Sequence, residues 1–166
     1  MKPGDHPDFY KLAPPPGTSR ESTIVLDREG RFWHDGARVD HPALEEALHR
    51  WIARHPDDGR LILTNGYDWC YFRAEETPFV VRAVRVEDEG QRALLVLSDG
   101  TEESLDPRVL SVSSEGVVFA RVKAGAEDAR FSRHAQAGLA PLLVSAEPPI
   151  VRVGDVSAEL ETRAAQ

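Results

Sequence analysis

Apolar and polar residues follow a strand-like pattern in four short stretches of the first half of the chain. Residues 24–26 and 31–33 predict one β-hairpin, and residues 61–63 and 67–73 predict a second. Asn65-Gly66 lies between the last two stretches, and this dipeptide favours the tight turns that join hairpin strands. The pattern therefore predicts two hairpins with a longer segment between them.

That longer segment has a helical period. Its apolar residues recur every third or fourth position and form one stripe, which consists of Leu44, Leu48, Trp51 and Ile52. Asp40 is placed to cap the start of the helix, and His55-Pro56 stops it because proline cannot continue a helix. The first half of the chain thus predicts the order β-β-α-β-β.

A rougher copy of this order follows in the second half. Phe79–Val86 predicts a long strand, and the polar turn Glu87–Gly90 is the predicted junction between two units. Glu127–Gly138 predicts a helix with Phe131, Ala135 and Leu139 facing inward, and residues 150–160 predict a last hairpin. The fold class that follows is α+β, with two similar β-β-α-β-β units packed together and mostly antiparallel sheets. Chance similarity between two α+β units of similar length is the alternative.

The first 21 residues differ in composition from the rest. They are rich in proline and glycine and have few apolar side chains, so they predict a flexible or loosely docked arm. Phe9, Tyr10 and Leu12 are the exceptions, and they either pin this arm to the body or remain free. The predicted domains are a flexible N-terminal arm (1–21), an N-terminal α+β unit (22–87) and a C-terminal α+β unit (88–166).

Charge and cysteine content narrow the classes of partner. The 166-residue chain has a formal net charge of −8, which repels phosphate backbones, so we expect no nucleic-acid partner. Its longest apolar runs are too short to span a bilayer, so we expect no membrane partner. The single cysteine, Cys70, excludes an internal disulfide and fits a reducing cytoplasm. No secretory signal is evident at the N-terminus, and we predict a cytoplasmic protein that needs no cofactor.

Aromatic and polar residues near the hairpins are candidates for a ligand site. Trp33, Trp69 and Tyr71 either line a pocket, with indole N–H groups as donors, or pack as ordinary cross-strand neighbours. Thr64 and Asn65 either hydrogen-bond to a small polar ligand or simply build the hairpin turn. Packing and turn formation are the commoner roles for these residue types.

Charged residues offer weaker candidates. Arg130 and His134 are four residues apart, hence on one face of the predicted helix, and they either clamp an anion or lie in a solvated face. His34-Asp35 resembles part of a catalytic set, but adjacent strand residues point to opposite faces and no nucleophile is evidently paired with them. The histidines do not have metal-ligand spacing. We predict no catalytic residues and no metal site.

The order of motifs in the first half resembles a bacterial family of uncharacterised proteins, domain of unknown function 1285. The matching pieces are Gly30–Gly36, Leu61–Thr64 and Ala74–Phe79. The resemblance implies a two-domain protein built by duplication, with a C-terminal part loosely similar to pleckstrin-homology folds and a ligand-sensing or signalling role. It carries over Trp33, Thr64, Pro78 and Phe79 as matched positions. The chain departs from the family pattern at residues 65–67, where a carboxylate of the family is replaced.

Together these observations predict a noncatalytic small-ligand-binding or sensing protein with a pocket between its two units. Trp33 and Phe79 supply apolar walls, Thr64 and Asn65 supply hydrogen bonds, and Arg130 with His134 supplies positive charge that suits an anionic small-molecule ligand. The alternative is a protein-interaction module that uses an exposed sheet edge. A hydrolase is less well supported, because no nucleophile–base pair is evident.

Overall fold

The computed structural model describes residues 1–164 and divides the chain into two compact units, Met1–Pro78 and Phe79–Gln166. Both are α+β, and most of their strand pairs are antiparallel, so the predicted fold class is confirmed. Each unit contains the order β-β-α-β-β together with further strands. No helix within residues 1–164 is long and apolar enough to cross a membrane.

The first unit contains one α-helix, two 3₁₀ turns in the N-terminal arm (Pro3–Asp5 and Phe9–Lys11) and seven strands in two sheets. In chain order the elements are β1 Val25–Leu26, β2 Phe32–His34, β3 Ala37–Arg38, α1 Pro42–Arg50, β4 Ile52–Arg54, β5 Leu61–Thr64, β6 Trp69–Tyr71 and β7 Arg73–Ala74. The sheet orders are β3-β2-β1-β7 and β4-β5-β6, and only the β1–β7 pair is parallel among these. Both predicted hairpins, β1–β2 and β5–β6, are confirmed.

The helix of this unit is shorter than its apolar stripe predicted. His41 caps it in place of Asp40, since a ring nitrogen of His41 accepts the Leu44 N–H at 3.1 Å. The helix ends at Arg50, and Ile52 pairs with Leu63 in the β4–β5 ladder. The β-branched Ile52 fits this half-buried strand, and sheet pairing outweighs the helical period.

Strand β5 lies between two apolar clusters because its residues alternate between the faces of the sheet. Leu63 points into a cluster with Leu26, Phe32, Leu48 and Phe72. Ile62 points the other way, into a cluster with Phe9 and Trp69. The continuous apolar run at residues 61–63 therefore has core on both faces of the strand.

The N-terminal arm is docked on the first unit. Phe9 is only 4% exposed and packs in the cluster of Ile62 and Trp69, whereas Leu12 is 59% exposed. Nearer the N-terminus, Gly4 donates its N–H to the Gly66 carbonyl at 2.8 Å. Of the two alternatives for the aromatic residues of the arm, contact with the body is therefore the one that the structure has, and a buried ring with backbone hydrogen bonds opposes the entropy cost of ordering this segment. The flexibility of the arm stays a prediction.

Up to residue 164, the second unit contains ten strands and a short α-helix. In chain order the elements are β8 Phe79–Glu87, β9 Arg92–Leu97, β10 Glu102–Ser104, β11 Leu110–Val112, β12 Val118–Val122, β13 Glu127–Phe131, α2 Arg133–Ala137, β14 Leu143–Ala146, β15 Pro149–Val153, β16 Val156–Glu159 and β17 Glu161–Thr162. The sheet orders are β10-β9-β8-β13-β12-β11-β17 and β14-β15-β16. Strand β8 pairs with β9 and β13 of this unit, so the division falls at Pro78/Phe79 and not at the predicted turn Glu87–Gly90.

The predicted helix over Glu127–Gly138 is wrong in its first half. Residues Glu127–Phe131 form β13, which pairs with β12 on one side and with β8 on the other. Ala129 and Phe131 are buried and alternate with more exposed neighbours, which is a strand period. The helix begins only after Ser132, whose side chain accepts the Ala135 N–H. Two flanking strands satisfy the backbone of β13 better than one exposed helical turn.

The β8–β9 and β12–β13 turns of the second unit use left-handed backbone at residues other than glycine. The β12–β13 turn passes through Lys123, Ala124 and Gly125 with φ of 55°, 56° and 82°. Left-handed backbone costs a residue that has a Cβ roughly 1–2 kcal/mol, which glycine avoids.

We expect Ala124→Gly to raise the free energy of unfolding of the second unit by about 0.5–1 kcal/mol, as measured by urea denaturation. The strain relieved exceeds the extra chain entropy of glycine in the unfolded state. Ala126→Gly is the matched control, because Ala126 is exposed and does not have positive φ. If both variants lose stability equally, the turn stores no strain at Ala124.

Candidate functional site

One face of the β4–β5–β6 sheet carries four of the nine Phe, Trp and Tyr side chains of the first unit. Trp69 and Tyr71 are two residues apart on β6 and therefore share a face. Their cross-strand partners on β5, Thr64 and Ile62, lie on the same face. We call this surface the Trp69 face.

Four rings form an aromatic cluster on the Trp69 face: Tyr10, His55, Trp69 and Tyr71. Trp69 contacts each of the other three, with ring centroids 5.9 Å from Tyr10, 5.0 Å from His55 and 5.1 Å from Tyr71. The His55 and Trp69 rings meet edge to face, as do those of Trp69 and Tyr71, which is a favourable arrangement of ring quadrupoles. Trp69 is the centre of the aromatic cluster and is only 6% exposed.

The His55 ring is held by backbone groups on both nitrogens. Nδ1 accepts the Asp57 N–H at 3.1 Å, so Nε2 carries the proton and donates to the Tyr10 carbonyl at 3.3 Å. The side chain therefore links the β4–β5 turn to the N-terminal arm.

Arg20 covers the Trp69 ring. Its guanidinium carbon lies 4.5 Å from the ring centroid, and its Nη1 donates to Asp68 Oδ1 at 2.5 Å and to the Trp69 carbonyl at 2.9 Å. Its Nη2 donates to the carbonyls of Leu12 and Ala13 at 3.3 and 3.4 Å. The hydrogen bond from Arg20 keeps the pKa of the Asp68 carboxyl below its ordinary value. This single side chain joins the arm to the hairpin.

Two buried donors in this region are left without an acceptor. Trp69 Nε1 and Arg20 Nε are both buried, and neither finds a hydrogen-bond partner among residues 1–164. A buried donor without a partner costs about 1–3 kcal/mol. The two belong to side chains that stack on one another, so the cost is concentrated in one place.

The exposed rim of the aromatic cluster carries a second guanidinium. Arg60 stacks on the Tyr71 ring at 3.7 Å and makes two hydrogen bonds to the Glu21 carboxylate, at 2.7 and 2.9 Å. Tyr71 donates its hydroxyl proton to Asp58 at 2.6 Å, and this bond is the main reason why the pKa of Tyr71 is raised and that of Asp58 is lowered. The rim thus already holds one carboxylate of the chain by a guanidinium–aromatic pair.

The ligand residues predicted in the first unit are engaged in local hydrogen bonds. Thr64 lies on the Trp69 face, where its hydroxyl donates to the Asp68 carbonyl and accepts the Gly66 N–H. Asn65 Oδ1 accepts the N–H groups of Tyr67 and Asp68. These bonds build the hairpin turn.

Trp33 lies on β2, in the other sheet of the unit, and its indole N–H donates to Asp27 at 2.9 Å. The expectation that Trp33 is on a strand next to those of Trp69 and Tyr71 is therefore wrong. Two short apolar strands in one unit need not belong to one sheet, and the sequence gives no register between them.

The predicted ligand residues of the second unit are on three elements. Phe79 is buried at the start of β8, and the ammonium of Lys123 lies 5.1 Å from its ring centroid. Arg130 is on β13, opposite Val80, and His134 is exposed on α2. Arg130 and His134 thus do not share a helical face, because the predicted helix is interrupted at Ser132.

The remaining candidates from the sequence are the His34-Asp35 pair, the Cys70 thiol and a metal site. The ring of His34 lies 3.5 Å from the carboxylate of Asp35, and both side chains are exposed at a turn. Burial is the main reason why the pKa of the Cys70 thiol is raised, so this thiol is a poor nucleophile. Within residues 1–164 no group of three or more His, Cys, Asp and Glu side chains is arranged to hold a metal ion.

Sequence reasoning found Trp69 and Tyr71 but missed Tyr10, Arg20 and His55 as their partners. The alternation along β6 gave the first pair. Arg20 carries no sequence signal, because its role depends on how the arm folds back, and the His55-Pro56 pair by itself indicates only the end of a helix.

Two solved structures are similar to this chain. One is a DUF1285 family protein from Silicibacter pomeroyi DSS-3, with a TM-score of 0.67, 14% identity and coverage of 92% of both chains. The other is a DUF1285 family protein from Shewanella baltica OS155, with a TM-score of 0.52, 14% identity and coverage of 69% of this chain and 87% of that chain. No family model and no curated protein matches the sequence. The resemblance carried by the sequence motifs is confirmed at the level of structure, and the chain has the fold of the DUF1285 proteins.

Proposed function

We propose that this protein is a noncatalytic binding protein whose ligand site is the Trp69 face of the first unit. The observation that supports this most is the pair of buried donors, Trp69 Nε1 and Arg20 Nε, without an acceptor among residues 1–164. A ligand oxygen that accepts from them removes an energetic cost the protein otherwise retains.

The surroundings of these donors define the chemistry of the ligand. The aromatic cluster offers ring faces and edges to an apolar or aromatic body, and the guanidinium of Arg20 favours a carboxylate over a neutral oxygen. Arg60 on Tyr71 already binds the carboxylate of Glu21 in this manner. A small molecule with an aromatic or apolar body and a carboxylate fits both features.

The predicted ligand roles of Trp33, Thr64, Asn65, Phe79, Arg130 and His134 stay predictions. Thr64 is the one that lies on the Trp69 face. The signalling role, the pocket between the units and the pleckstrin-homology likeness of the second unit also stay predictions.

A thermal-shift screen against carboxylate-bearing metabolites tests the proposal. A ligand at a hundredfold its dissociation constant adds about 2.7 kcal/mol to the free energy of unfolding, which is a readily measured shift. We expect Trp69→Phe, which keeps an aromatic ring and removes the N–H, to weaken binding of that ligand. The same change on Trp51, whose side chain packs in the other apolar cluster, is the control. A ligand that binds Trp69→Phe as tightly as the intact protein does not use this site.

A protein-interaction role is the second candidate, and the edge of the three-stranded sheet favours it. Strand β14 is at the edge of the β14-β15-β16 sheet, and Leu143 and Val144 on it are 45% and 58% exposed. Exposed apolar side chains on an edge strand suit pairing with an extended segment of another protein.

A further inference from the structure

The N-terminal arm is seated on the Trp69 face as a peptide ligand would be. The Phe9 ring is buried against Ile62 and Trp69, and the Tyr10 ring joins the aromatic cluster. The Phe9 and Tyr10 rings also contact one another, at 4.9 Å and nearly perpendicular. An adjacent pair of aromatic residues therefore supplies the apolar part of this contact.

The backbone of the same segment supplies the polar part. The Tyr10 carbonyl accepts from His55 Nε2, and the carbonyls of Leu12 and Ala13 accept from Arg20 Nη2. Carbonyl groups are common to all peptides, whereas the two rings are specific to this segment. The Trp69 face thus binds the backbone of this segment through two side-chain donors, His55 and Arg20, and binds the aromatic pair through its apolar surface.

Arg20 itself does not leave with the segment, because its backbone is fixed. The Arg20 carbonyl accepts the Tyr71 N–H at 2.7 Å, and the hydroxyl of Ser22, two residues further on, donates to the Tyr71 carbonyl at 2.5 Å. Between Ala13 and Arg20 the chain reads Pro-Pro-Pro-Gly-Thr-Ser. Residues 7–13 are therefore a short segment held by a stiff connection next to the donors that bind it.

We infer that the Trp69 face recognises a peptide with two adjacent aromatic residues in a 3₁₀ turn, the conformation of Phe9–Lys11, and that Pro7–Ala13 is the built-in competitor for this site. The inference rests on the proposed function, and it names the class of ligand. A ligand that displaces the segment also changes the state of the arm, which is the event a sensing protein needs.

Tethering sets how strongly the segment competes. The connection keeps the segment at a high effective concentration next to the Trp69 face, and a free peptide that uses the same surface binds only when the segment has left it. The apparent affinity for the free peptide falls by the fraction of molecules with the face open. Weakening the segment therefore strengthens binding of the peptide in trans.

The test uses a synthetic peptide with the sequence of Pro7–Ala13, labelled with a fluorophore and titrated with the full-length protein. We expect Phe9→Ala protein to bind the peptide at least tenfold more tightly than the unaltered protein. Leu12→Ala is the matched control, since Leu12 lies in the same segment and is exposed, and it should bind as the unaltered protein does. A peptide with alanine at the position of Phe9 should not bind any of them.

Equal binding to the unaltered and Phe9→Ala proteins overturns the inference, and so does no binding to a folded Phe9→Ala protein. If Phe9→Ala does not fold by circular dichroism, Gly4→Ala decides in its place. A Cβ at Gly4 meets the Gly66 backbone at 3.0 Å, so this change loosens the arm without touching the apolar cluster.

The two proposals fail in different ways. A metabolite that requires Trp69, together with no binding of the peptide, overturns the inference and leaves the proposed site. Peptide binding with no metabolite hit supports the inference and overturns the small-molecule form of the proposed function.

Discussion

Trp69→Ala is expected to lower the free energy of unfolding of the first unit by about 3–5 kcal/mol, the range for removing a large aromatic side chain from a core. Trp69 contacts the three other rings of the aromatic cluster, and its ring also carries the guanidinium of Arg20. The cavity cannot close easily, because strands on a two-sided sheet hold its walls apart. The buried indole N–H, which has no acceptor among residues 1–164, reduces the loss without reversing it.

Urea denaturation monitored by circular dichroism measures this change. The control is Tyr67→Ala, in the same β5–β6 hairpin, because Tyr67 is 63% exposed and its removal leaves no cavity. A loss below about 1 kcal/mol for Trp69→Ala would mean that the aromatic cluster is not a packed core.

Arg20→Gln is expected to cost about 2–3 kcal/mol and to release the N-terminal arm. The change removes a charged hydrogen bond to Asp68, the bonds to the carbonyls of Leu12 and Ala13, and the stacking on Trp69. The side chain of Asp68 is 65% exposed and regains water, so the loss is smaller than for a fully buried ion pair.

Hydrogen exchange of residues 4–13 measures how readily the arm opens. Urea denaturation measures the free energy of unfolding of the whole unit. Arg60→Gln is the control, since Arg60 also stacks on a ring of the cluster but is half exposed and binds an exposed carboxylate. Exposed ion pairs contribute little, so this control should leave the exchange of the arm unchanged. Unchanged exchange in Arg20→Gln would show that Arg20 does not hold the arm.

The hairpins of the first unit could be predicted from sequence because their information is local. Asn65-Gly66 fixes the turn of β5–β6, and the apolar run of residues 61–63 needs only two covered faces. Fold class followed from the same local signals. The likeness to the DUF1285 proteins rested on short motifs around these hairpins, and the similar solved structures confirm it for the fold.

Residues 127–138 show where local information was not enough. Phe131, Ala135 and Leu139 have helical spacing, yet Ala129 and Phe131 also have strand spacing. Residues 127–131 form a strand and not a helix because β8 and β12 flank β13 and pair with it. Strand β8 is some fifty residues away along the sequence, so no window of sequence contains this pairing.

Only half of the aromatic cluster could be predicted, because the other half depends on contacts between residues that are distant in sequence. Trp69 and Tyr71 share a face by simple alternation, whereas Tyr10 and Arg20 reach it only when the arm folds back. Composition alone favoured a flexible arm, because proline and glycine outnumber apolar residues there. In the structure the arm is held by the buried ring of Phe9, the guanidinium of Arg20 and the hydrogen bonds of the Gly4 and Tyr10 backbone.

The most direct test of the account is a paired calorimetric titration of one screen hit, a small molecule that carries a carboxylate, into Phe9→Ala and Phe9→Ala/Trp69→Phe proteins. If the Trp69 face is the binding site, the Phe9→Ala protein binds the ligand. The Phe9→Ala/Trp69→Phe protein binds it at least tenfold more weakly, because the indole N–H that donates to the ligand and part of the ring have been removed. Equal affinities in the two folded proteins would contradict the account and place the ligand elsewhere on the molecule.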